Sequence, residues 1–371
     1  MRCEVAGRCG GCPQILQPYD AQLQAKQRRL AALWAEAGLP AEVVEQATLH
    51  SLGPGGLRDR ADLALRRGPE GVALGLWDLA RTEVLDLPRC PQASEALGAW
   101  LAAFRADLPP VERATVRLRV APDGRRGLWL DLANVDIKGL LDEGAWLRRT
   151  LPRASVELGQ RRKAVVLQDG ALKLAKGVLG PWFRTWVAED QPATLYGTVG
   201  GFTQPGLAAN RALVRLAREA ARETGARRWL ELGCGNGNFT LPLAAGAAHV
   251  VALDSDPLAL RALLRSADEA GLSARITTVK GGMDGAHLAR LLPDAQGLLV
   301  DPPRSGLGGA VDTLAASEAR PAHLIYVSCH AESLVRDLQA LAMLGYRPRA
   351  AVGLDQFPQS AHAEWVVTAS R

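Results

Sequence analysis

From about residue 210 to residue 371, short apolar segments alternate with amphipathic helical segments, and this regularity allows few folds. Helices are predicted at 210–223, from Phe239 and at 257–270, and strands at 228–233, 248–254, 275–280, 297–301 and 322–328, with two more near 347–353 and 363–369. Such alternation is typical of a doubly wound, mainly parallel sheet that helices cover on both faces. We therefore predict an α/β, Rossmann-like sheet in this part of the chain.

The preceding part has the pattern of an antiparallel α+β domain. Apolar and polar residues alternate between about 56 and 180, as in the segment VRLRV at 116–120, whose arginines form a basic strand face that is a candidate for contacting RNA phosphates. An amphipathic helix is predicted at 20–37, with Lys26, Arg28 and Arg29 on a solvated face. We expect two domains, 1–190 and 191–371, with a linker near 188–200.

Charge and hydropathy restrict the partners of the chain. The 371 residues include 44 basic and 39 acidic ones, a net charge of +5, and 38 of the basic residues are arginine. Arginine suits phosphate groups, which favours a polyanionic partner such as RNA, although a GC-rich genome explains the arginine content equally well. No run reaches the about 18 apolar residues of a membrane span, and the N-terminus lacks a secretory apolar region. We expect a cytoplasmic protein with no membrane partner.

Cysteines cluster near the N-terminus. Cys3, Cys9 and Cys12 form a C-x5-C-x2-C pattern, and Cys90 lies alone before a proline. Three nearby thiols and a distant fourth can enclose a tetrahedral metal centre, either Zn²⁺ or an iron–sulfur cluster. Zinc sites usually combine two short C-x2-4-C elements and only one is present here, which favours [4Fe–4S] over zinc. The remaining alternative is that these are unrelated surface cysteines.

A glycine-rich turn follows the first predicted strand of the second domain. The segment LELGCGNGNF at 230–239 holds Gly233, Gly235 and Gly237, and Asn238 stands where the dinucleotide-binding pattern needs a glycine. The G-x-G-x-G form is typical of S-adenosylmethionine-dependent methyltransferases. The next strand ends at Asp254, where a carboxylate can accept hydrogen bonds from both ribose hydroxyls. The alternative is a tight turn that binds no ligand.

Two reactive groups follow at the same predicted sheet edge. The strand at 297–301 ends in Asp301 and two prolines, a segment typical of the floor of a methyltransferase pocket between cofactor and target base. The next strand delivers Cys329 to its carboxyl end, where ligands bind in open α/β sheets. Glu364 opens the last strand. A thiol and a carboxyl on one rim indicate a nucleophile and a general base.

Taken together, five segments resemble the RNA uracil-C5 methyltransferases: GRCGGC at 7–12, LELGCGNGNF at 230–239, DPPRSGL at 301–307, YVSCHAESLVRDL at 326–338 and FPQSAHAE at 357–364. The chain is most similar to the short iron–sulfur forms that act on 23S ribosomal RNA, because no TRAM β-barrel is expected before Cys3. The pattern departs from the family at three places: Gly206 replaces an asparagine of the F-x-Q-x-N motif, Gly233 replaces an aromatic residue, and His330-Ala331 replaces Asn-Pro or Asn-Ala.

The resemblance implies a reaction and a set of site residues. It implies C5-methylation of an RNA uridine by S-adenosylmethionine through a covalent adduct at uracil C6, with Cys329 as nucleophile and Glu364 as general base. The cofactor positions that it implies are Gln204, Gly233, Asn238, Asp254 and Asp301. The [4Fe–4S] ligands that it implies are Cys3, Cys9, Cys12 and Cys90.

Several alternatives stay open at this point. Within the family, 23S rRNA is the expected substrate and transfer RNA is the alternative. Outside it, an amino-group methyltransferase would need no nucleophilic cysteine, and a non-catalytic, metal-dependent RNA-binding protein would fit the missing asparagine of the F-x-Q-x-N motif. We expect a monomer.

Overall fold

The computed structural model describes residues 2–69 and 71–371. The first half contains, in order, α1 (Tyr19–Glu36), α2 (Ala41–Glu45), β1 (Thr48–Ser51), β2 (Arg60–Gly68), β3 (Gly71–Trp77), β4 (Val84–Asp86), α3 (Glu95–Arg105), β5 (Arg113–Val120), β6 (Arg126–Asp131), α4 (Asn134–Glu143), α5 (Ala145–Thr150), β7 (Ser155–Leu158), β8 (Lys163–Gln168), β9 (Ala171–Ala175), β10 (Gly180–Ala188) and β11 (Gln191–Gly197). The second half contains α6 (Leu207–Thr224), β12 (Arg228–Leu232), α7 (Thr240–Gly246), β13 (His249–Asp254), α8 (Pro257–Glu269), β14 (Ile276–Lys280), α9 (Gly285–Leu291), β15 (Gly297–Val300), α10 (Gly309–Ala316), β16 (His323–Ser328), α11 (Ala331–Met343), β17 (Arg347–Asp355) and β18 (Glu364–Ser370).

The second half of the chain forms most of an eight-stranded sheet in the order β1-β17-β18-β16-β15-β12-β13-β14. The strands from β16 to β14 in that order run parallel, and β18 lies antiparallel between β17 and β16. Helices α6, α7 and α8 pack on one face, and α1, α9, α10 and α11 pack on the other. The predicted doubly wound α/β sheet is confirmed, and the loops after β12, β13, β15 and β16 meet at its carboxyl edge.

The first half forms a second sheet of eight strands, in the order β4-β3-β2-β5-β6-β7-β8-β9. Adjacent strands in this sheet run antiparallel, except that β6 and β7 are parallel. Helices α3, α4 and α5 cover its apolar face. The hairpin predicted at 165–174 is present as β8 and β9, with Asp169 and Gly170 at positive φ as a type I′ turn requires. This sheet is the α+β part expected from the sequence.

Arg119 corrects part of the expectation that the basic strand face at 116–120 contacts RNA phosphates. Its side chain is only 2% exposed, and its guanidinium donates to the backbone of the loop after β11 instead of facing solvent. The alternation predicts two faces, as the structure shows, but at Arg119 the basic face is covered by the loop after β11. It is not free to contact RNA phosphates at this position.

The N-terminal segment crosses to the α/β sheet that the second half of the chain forms. Strand β1 pairs in parallel with β17, and helix α1 packs against the same sheet. Lys26, predicted on a solvated helix face, is buried and donates to Asp355 at 2.6 Å, because the face that carries it lies against the end of β17. The division at residues 190 and 191 stays a prediction; that point lies in the turn of the β10–β11 hairpin.

The β10–β11 hairpin forms a separate two-stranded sheet against α6, α7 and α8. Its last residue, Gly197, leads into an irregular segment that runs to α6 and lines the carboxyl edge of the larger α/β sheet. Within residues 2–69 and 71–371, none of the helices is long and apolar enough to cross a membrane.

Candidate active site

A cleft of about 600 Å³ opens at the carboxyl edge of the α/β sheet. Four loops line it: the glycine loop after β12, the loop after β13, the Asp301-Pro302-Pro303-Arg304 segment after β15, and the irregular segment between β11 and α6. Cys329 and Glu364 complete the wall. Of the seven predicted catalytic and cofactor residues, six line this cleft: Gln204, Gly233, Asp254, Asp301, Cys329 and Glu364.

The glycine loop owes its shape to positive backbone angles. Gly233, Gly235 and Gly237 have φ values of 73°, 54° and 96°, which residues with a β-carbon rarely adopt. The Asp254 carboxylate accepts the amide of Gly235 at 2.8 Å, and a β-carbon on Gly237 would lie 2.4 Å from Leu263. The loop therefore lies close to the end of β13, leaving open space where a nucleoside can approach the backbone.

Asn238, one of the predicted cofactor positions, is held by a pair of side-chain hydrogen bonds inside the protein. The Asn238 side-chain amide forms a reciprocal pair with the amide of Asn210, each donating to the other at 2.8 Å, and Asn210 is fully buried. Asn238 is not among the residues that line the cleft. Both polar atoms of the Asn238 amide are paired with Asn210, and this pair joins the glycine loop to helix α6.

The pairing of β16 with β18 brings Cys329 and Glu364 together. Ser328, the last residue of β16, lies opposite Trp365, so Cys329, which follows it, and Glu364, which precedes Trp365 on β18, are neighbours. Glu364 is 2% exposed, whereas Cys329 is half-buried and faces the cleft. A thiol and a carboxyl, predicted from separate motifs, thus share one wall.

The surroundings raise the pKa values of these groups. Burial raises the pKa of the Cys329 thiol, the charge of Glu364 raises it further, and the Arg304 guanidinium opposes both effects. Burial also raises the pKa of Glu364 and Asp301, and the charge of Asp301 adds to the shift at Glu364. Since both carboxyls hold protons more tightly than usual, Glu364 can accept a proton near neutral pH.

An amide bridge that the sequence did not reveal connects two of the predicted residues. The Gln356 amide donates to Glu364 Oε2 at 2.5 Å and to Gln204 Oε1 at 3.1 Å, and Gln356 is 1% exposed. The first of these bonds lowers the pKa of Glu364, against the larger effect of burial. Gln356 therefore fixes the carboxyl and holds it against the segment that carries Gln204.

Asn236 and Arg162 are among the further polar side chains that line the cleft and were missed. Asn236, inside the glycine loop, donates to the Tyr196 carbonyl at 3.0 Å, and Arg162 pairs with Asp256 at 2.9 Å. Asn236 could have been noticed inside the G-x-G-x-G loop. Arg162 lies in a turn of the other sheet, and no local pattern connects it to this site.

The four N-terminal cysteines surround a second, small cavity of about 20 Å³. Cys3, Cys9, Cys12 and Cys90 line it together with Arg89 and several apolar side chains, and all four are free thiols. Burial, and then the thiols of Cys90 and Cys9, raise the pKa of Cys12 to about 12. Among the residues that the structure describes, no group of three or more His, Cys, Asp or Glu side chains has the arrangement of a metal-ion site.

The backbone around these thiols leaves no room for larger residues. A β-carbon on Gly11 would lie 2.7 Å from Leu76, and one on Gly10 would lie 3.0 Å from the Trp77 carbonyl oxygen. The amide of Gly11 points at Cys9 Sγ at 3.4 Å. The thiol cavity thus brings the four predicted cysteines, a mostly apolar lining and an amide donor into one place.

Comparisons with known proteins identify the family. Residues 285–371 match the family described as tRNA (Uracil-5-)-methyltransferase, and residues 230–295 match a methyltransferase domain. The chain is 41% identical to an uncharacterized RNA methyltransferase of Bdellovibrio bacteriovorus, over 98% of this chain and 93% of that protein. It is 31% identical to the 23S rRNA (uracil(1939)-C(5))-methyltransferase of Pseudomonas aeruginosa, over 98% of this chain and 78% of that protein. The chain belongs to the RNA (uracil-C5)-methyltransferase family.

The fold of this methyltransferase is shared with a solved relative. The Pyrococcus abyssi tRNA (uracil-54, C5)-methyltransferase, solved in complex with S-adenosyl-L-homocysteine, matches with a TM-score of 0.69 and 20% identity, over 97% of this chain and 85% of that one. The family makes the chain an enzyme that methylates uracil C5 in RNA with S-adenosylmethionine as methyl donor. The amino-group methyltransferase and the non-catalytic RNA-binding protein are therefore not supported.

Proposed function

We propose that this methyltransferase modifies a uridine of 23S ribosomal RNA through a transient bond between Cys329 and uracil C6, with Glu364 as general base. The observation that carries the proposal is the adjacency of thiol and carboxyl across the paired ends of β16 and β18, in the cleft that the glycine loop also lines. The preference for 23S rRNA over tRNA rests on relatives such as the Pseudomonas aeruginosa enzyme.

The chemistry follows from the weak nucleophilicity of uracil C5. The Cys329 thiolate adds to C6, and the electrons of the C5–C6 double bond move into an enolate. C5 then takes the methyl group that S-adenosylmethionine supplies, which leaves S-adenosylhomocysteine. Glu364 removes the C5 proton, the double bond re-forms, and the carbon–sulfur bond breaks to return the thiolate. The target base must leave its stack, which costs roughly a few kcal/mol and least in single-stranded loops.

For the methyl donor, we propose the side of the cleft formed by the glycine loop, Asp254 and Gln204. Without β-carbons, the loop lets an adenosyl group approach the backbone, and the Asp254 oxygens retain lone pairs for ribose hydroxyls beside the two amides that they accept. Asp301 also lines the cleft, and it follows β15, which lies between β12 and β16 in the sheet, so it lies between the glycine loop and Cys329. It would contact either the donor or the edge of the uracil.

Two substitutions test the covalent mechanism. Cys329→Ala should abolish both methyl transfer and adduct formation. Glu364→Gln should permit attack and methylation but stall elimination, so that a protein–RNA adduct accumulates on denaturing gels. RNA that contains 5-fluorouridine is the control, because fluorine replaces the proton that Glu364 removes and wild-type protein should be trapped on it. Near-normal turnover by Cys329→Ala would overturn the mechanism.

We also propose that Cys3, Cys9, Cys12 and Cys90 hold a [4Fe–4S] cluster. The lining of the thiol cavity supports this, whereas the C-x5-C-x2-C spacing differs from the C-x3-C-x2-C pattern expected for radical chemistry. The cluster would have a structural role, or would orient RNA, since transfer of a methyl cation consumes no electron. Iron and sulfide should be found at about four per chain after anaerobic purification. One zinc and no iron would refute the assignment.

We further propose that the enzyme acts in the cytoplasm as a monomer, without a membrane partner, on RNA alone. Mass spectrometry of ribosomal and transfer RNA from a deletion strain, compared with the complemented strain, identifies the molecule and the position together. Loss of one 5-methyluridine from 23S rRNA is expected. Loss of 5-methyluridine from tRNA instead would agree with the proposed chemistry but would show that the substrate is tRNA.

A further inference from the structure

The irregular segment 198–204, here called the cleft loop, has no strand or helix of its own to hold it. It follows β11, precedes α6, and contributes Thr198, Gly201, Phe202 and Gln204 to the cleft. Its backbone groups therefore need partners from elsewhere in the molecule.

Arg119 and Glu157 from the N-terminal sheet supply most of these partners. Arg119 Nη1 donates to the carbonyls of Thr198 and Val199 at 3.1 and 3.0 Å, and its Nη2 donates to Thr203 Oγ1 at 2.6 Å. The two Glu157 oxygens accept the amides of Val199 and Gly200 at 2.5 and 2.8 Å. Both side chains are 2% exposed. Five hydrogen bonds from two buried ionic groups thus act on one short loop.

Two more arginines reinforce this arrangement. Arg117 Nη1 donates to the Gly200 carbonyl at 2.6 Å, and Arg60 Nη1 donates to the Thr203 carbonyl at 2.8 Å. Arg60 lies directly opposite Arg119 on the paired strands β2 and β5, so like charges are brought together. Burial, and then the charges of Arg60 and Arg117, lower the pKa of Arg119 to about 9. The hydrogen bonds to the cleft loop hold these like charges together against their mutual repulsion.

We infer that Arg119 and Glu157 are positioning residues for the methyl-donor side of the cleft: they fix the cleft loop in the conformation that presents Gln204. The inference rests on the proposed role of Gln204 and not on the covalent step. A loop that binds the donor in only a fraction of its conformations weakens apparent affinity by that fraction. The N-terminal sheet would thereby determine how well a cleft at the edge of the other sheet binds its ligand.

The test compares Arg119→Met with Arg67→Met, which removes an exposed arginine of the same sheet and serves as the control for loss of a guanidinium. Arg67 lies on the same sheet and also donates to two carbonyls, those of Val111 and Pro109 at 3.0 Å, away from the cleft. Calorimetry with S-adenosylhomocysteine should show at least about tenfold weaker binding for Arg119→Met and less than about twofold change for Arg67→Met. The KM for S-adenosylmethionine should rise far more than kcat at saturation falls, and Arg119→Lys should recover part of the affinity.

Thr203→Val gives a milder second variant in case Arg119→Met fails to fold. It keeps the side-chain volume and removes one acceptor of Arg119, and about threefold weaker binding is expected from the loss of one hydrogen bond. Folded Thr203→Val or Arg119→Met protein that binds S-adenosylhomocysteine as tightly as wild type overturns the inference. Cys329→Ala should bind it normally, which separates this result from a failure of the covalent mechanism.

Discussion

A β-carbon at position 206 would lie 1.6 Å from the carbonyl oxygen of Leu57, and this accounts for the glycine found there. The family motif has an asparagine at this place, but here the chain leading into β2 occupies the space. Asp59 of that segment accepts the amide of Leu207 at 2.8 Å and so caps helix α6. A neighbouring segment thus supplies a polar partner where the usual side chain is missing.

Gly206→Ala should therefore destabilise the protein, and restoring the asparagine should not improve it. The added atom cannot be accommodated by a side-chain movement, because Leu57 presents its backbone, and about 2 kcal/mol or more of unfolding free energy should be lost to overpacking. Denaturant unfolding measures the loss. Gly98→Ala is the control: this glycine lies inside α3 with no atom near its β-position, so the substitution should stabilise by about 0.5–1 kcal/mol. An unchanged midpoint for Gly206→Ala would contradict this explanation.

Gln356 leads to a prediction about pH. Cys329 and Glu364 both have raised pKa values, and both act in their deprotonated forms, so the rate should increase as pH rises through neutrality. Because the Gln356 hydrogen bond lowers the pKa of Glu364, Gln356→Leu should raise that pKa and move the rising limb of the profile to higher pH. Single-turnover rates from pH 6 to 10 give the profile, and at neutral pH the variant should accumulate adduct.

The matched variant for this experiment is Gln356→Asn, whose shorter amide keeps the hydrogen-bonding groups. If the amide acts on the carboxyl, the rising limb of its pH profile should lie between those of the wild type and Gln356→Leu. A uniform loss of rate at every pH would mean that Gln356 only fills space.

At the scale of elements, the strands of the second half could be predicted from the sequence to within two residues. Buried parallel strands are nearly continuous apolar runs, as in β15 (Gly297–Val300), whose residues are all buried. The pairing of β1 with β17 could not be predicted, because four residues such as Thr48–Ser51 carry no signal for a partner three hundred residues away. The same limit applies to the side chains that join elements, such as Arg119 and Gln356.

A buried ion pair attaches helix α1 to the α/β sheet, although the sequence predicted that its lysine faces solvent. Lys26 Nζ donates to Asp355 Oδ1 at 2.6 Å and to the Phe357 carbonyl at 3.1 Å, and Tyr19 donates to the other oxygen of Asp355 at 2.7 Å. Burial lowers the pKa of Lys26, although Asp355 opposes the shift. Asp355 and Phe357 belong to the segment that leads to Glu364, so the helix also supports the catalytic wall.

Lys26→Met should consequently lower the free energy of unfolding by about 3 kcal/mol, because it leaves Asp355 buried without its cationic partner. Arg28→Met on the exposed face of the same helix should change it by less than about 0.5 kcal/mol. Urea unfolding followed by circular dichroism compares the two. Equal effects of the two substitutions would mean that the Lys26–Asp355 pair contributes no more to stability than an exposed charge does.

At the scale of the whole molecule, the first residues of the chain tie the two sheets together. The amide of Gly10 donates to the Trp77 carbonyl at 2.9 Å on the N-terminal sheet, and the amide of Gln14 donates to the Gln359 carbonyl at 3.0 Å near the cleft. Gln359 has a φ of 67° and exchanges two hydrogen bonds with Gln22. The sequence predicted a metal site at the cysteines of this segment. It did not predict that the segment contacts the loop before Glu364.

If the proposed cluster holds this segment in place, loss of the cluster should change the reaction at the cleft, although no cysteine of the thiol cavity lies there. Cys12→Ser should release iron and lower the melting temperature, because one of the four thiols is lost and the 3–17 segment loses its anchor. Elimination should slow more than S-adenosylhomocysteine binding weakens, since the segment contacts Gln359 on the Glu364 side and not the glycine loop. Cys234→Ser, a buried cysteine of the glycine loop, controls for loss of a thiol in the iron assay alone and should keep its iron. A Cys12→Ser protein that loses iron but keeps wild-type stability and elimination would show that the cluster does not support the catalytic wall.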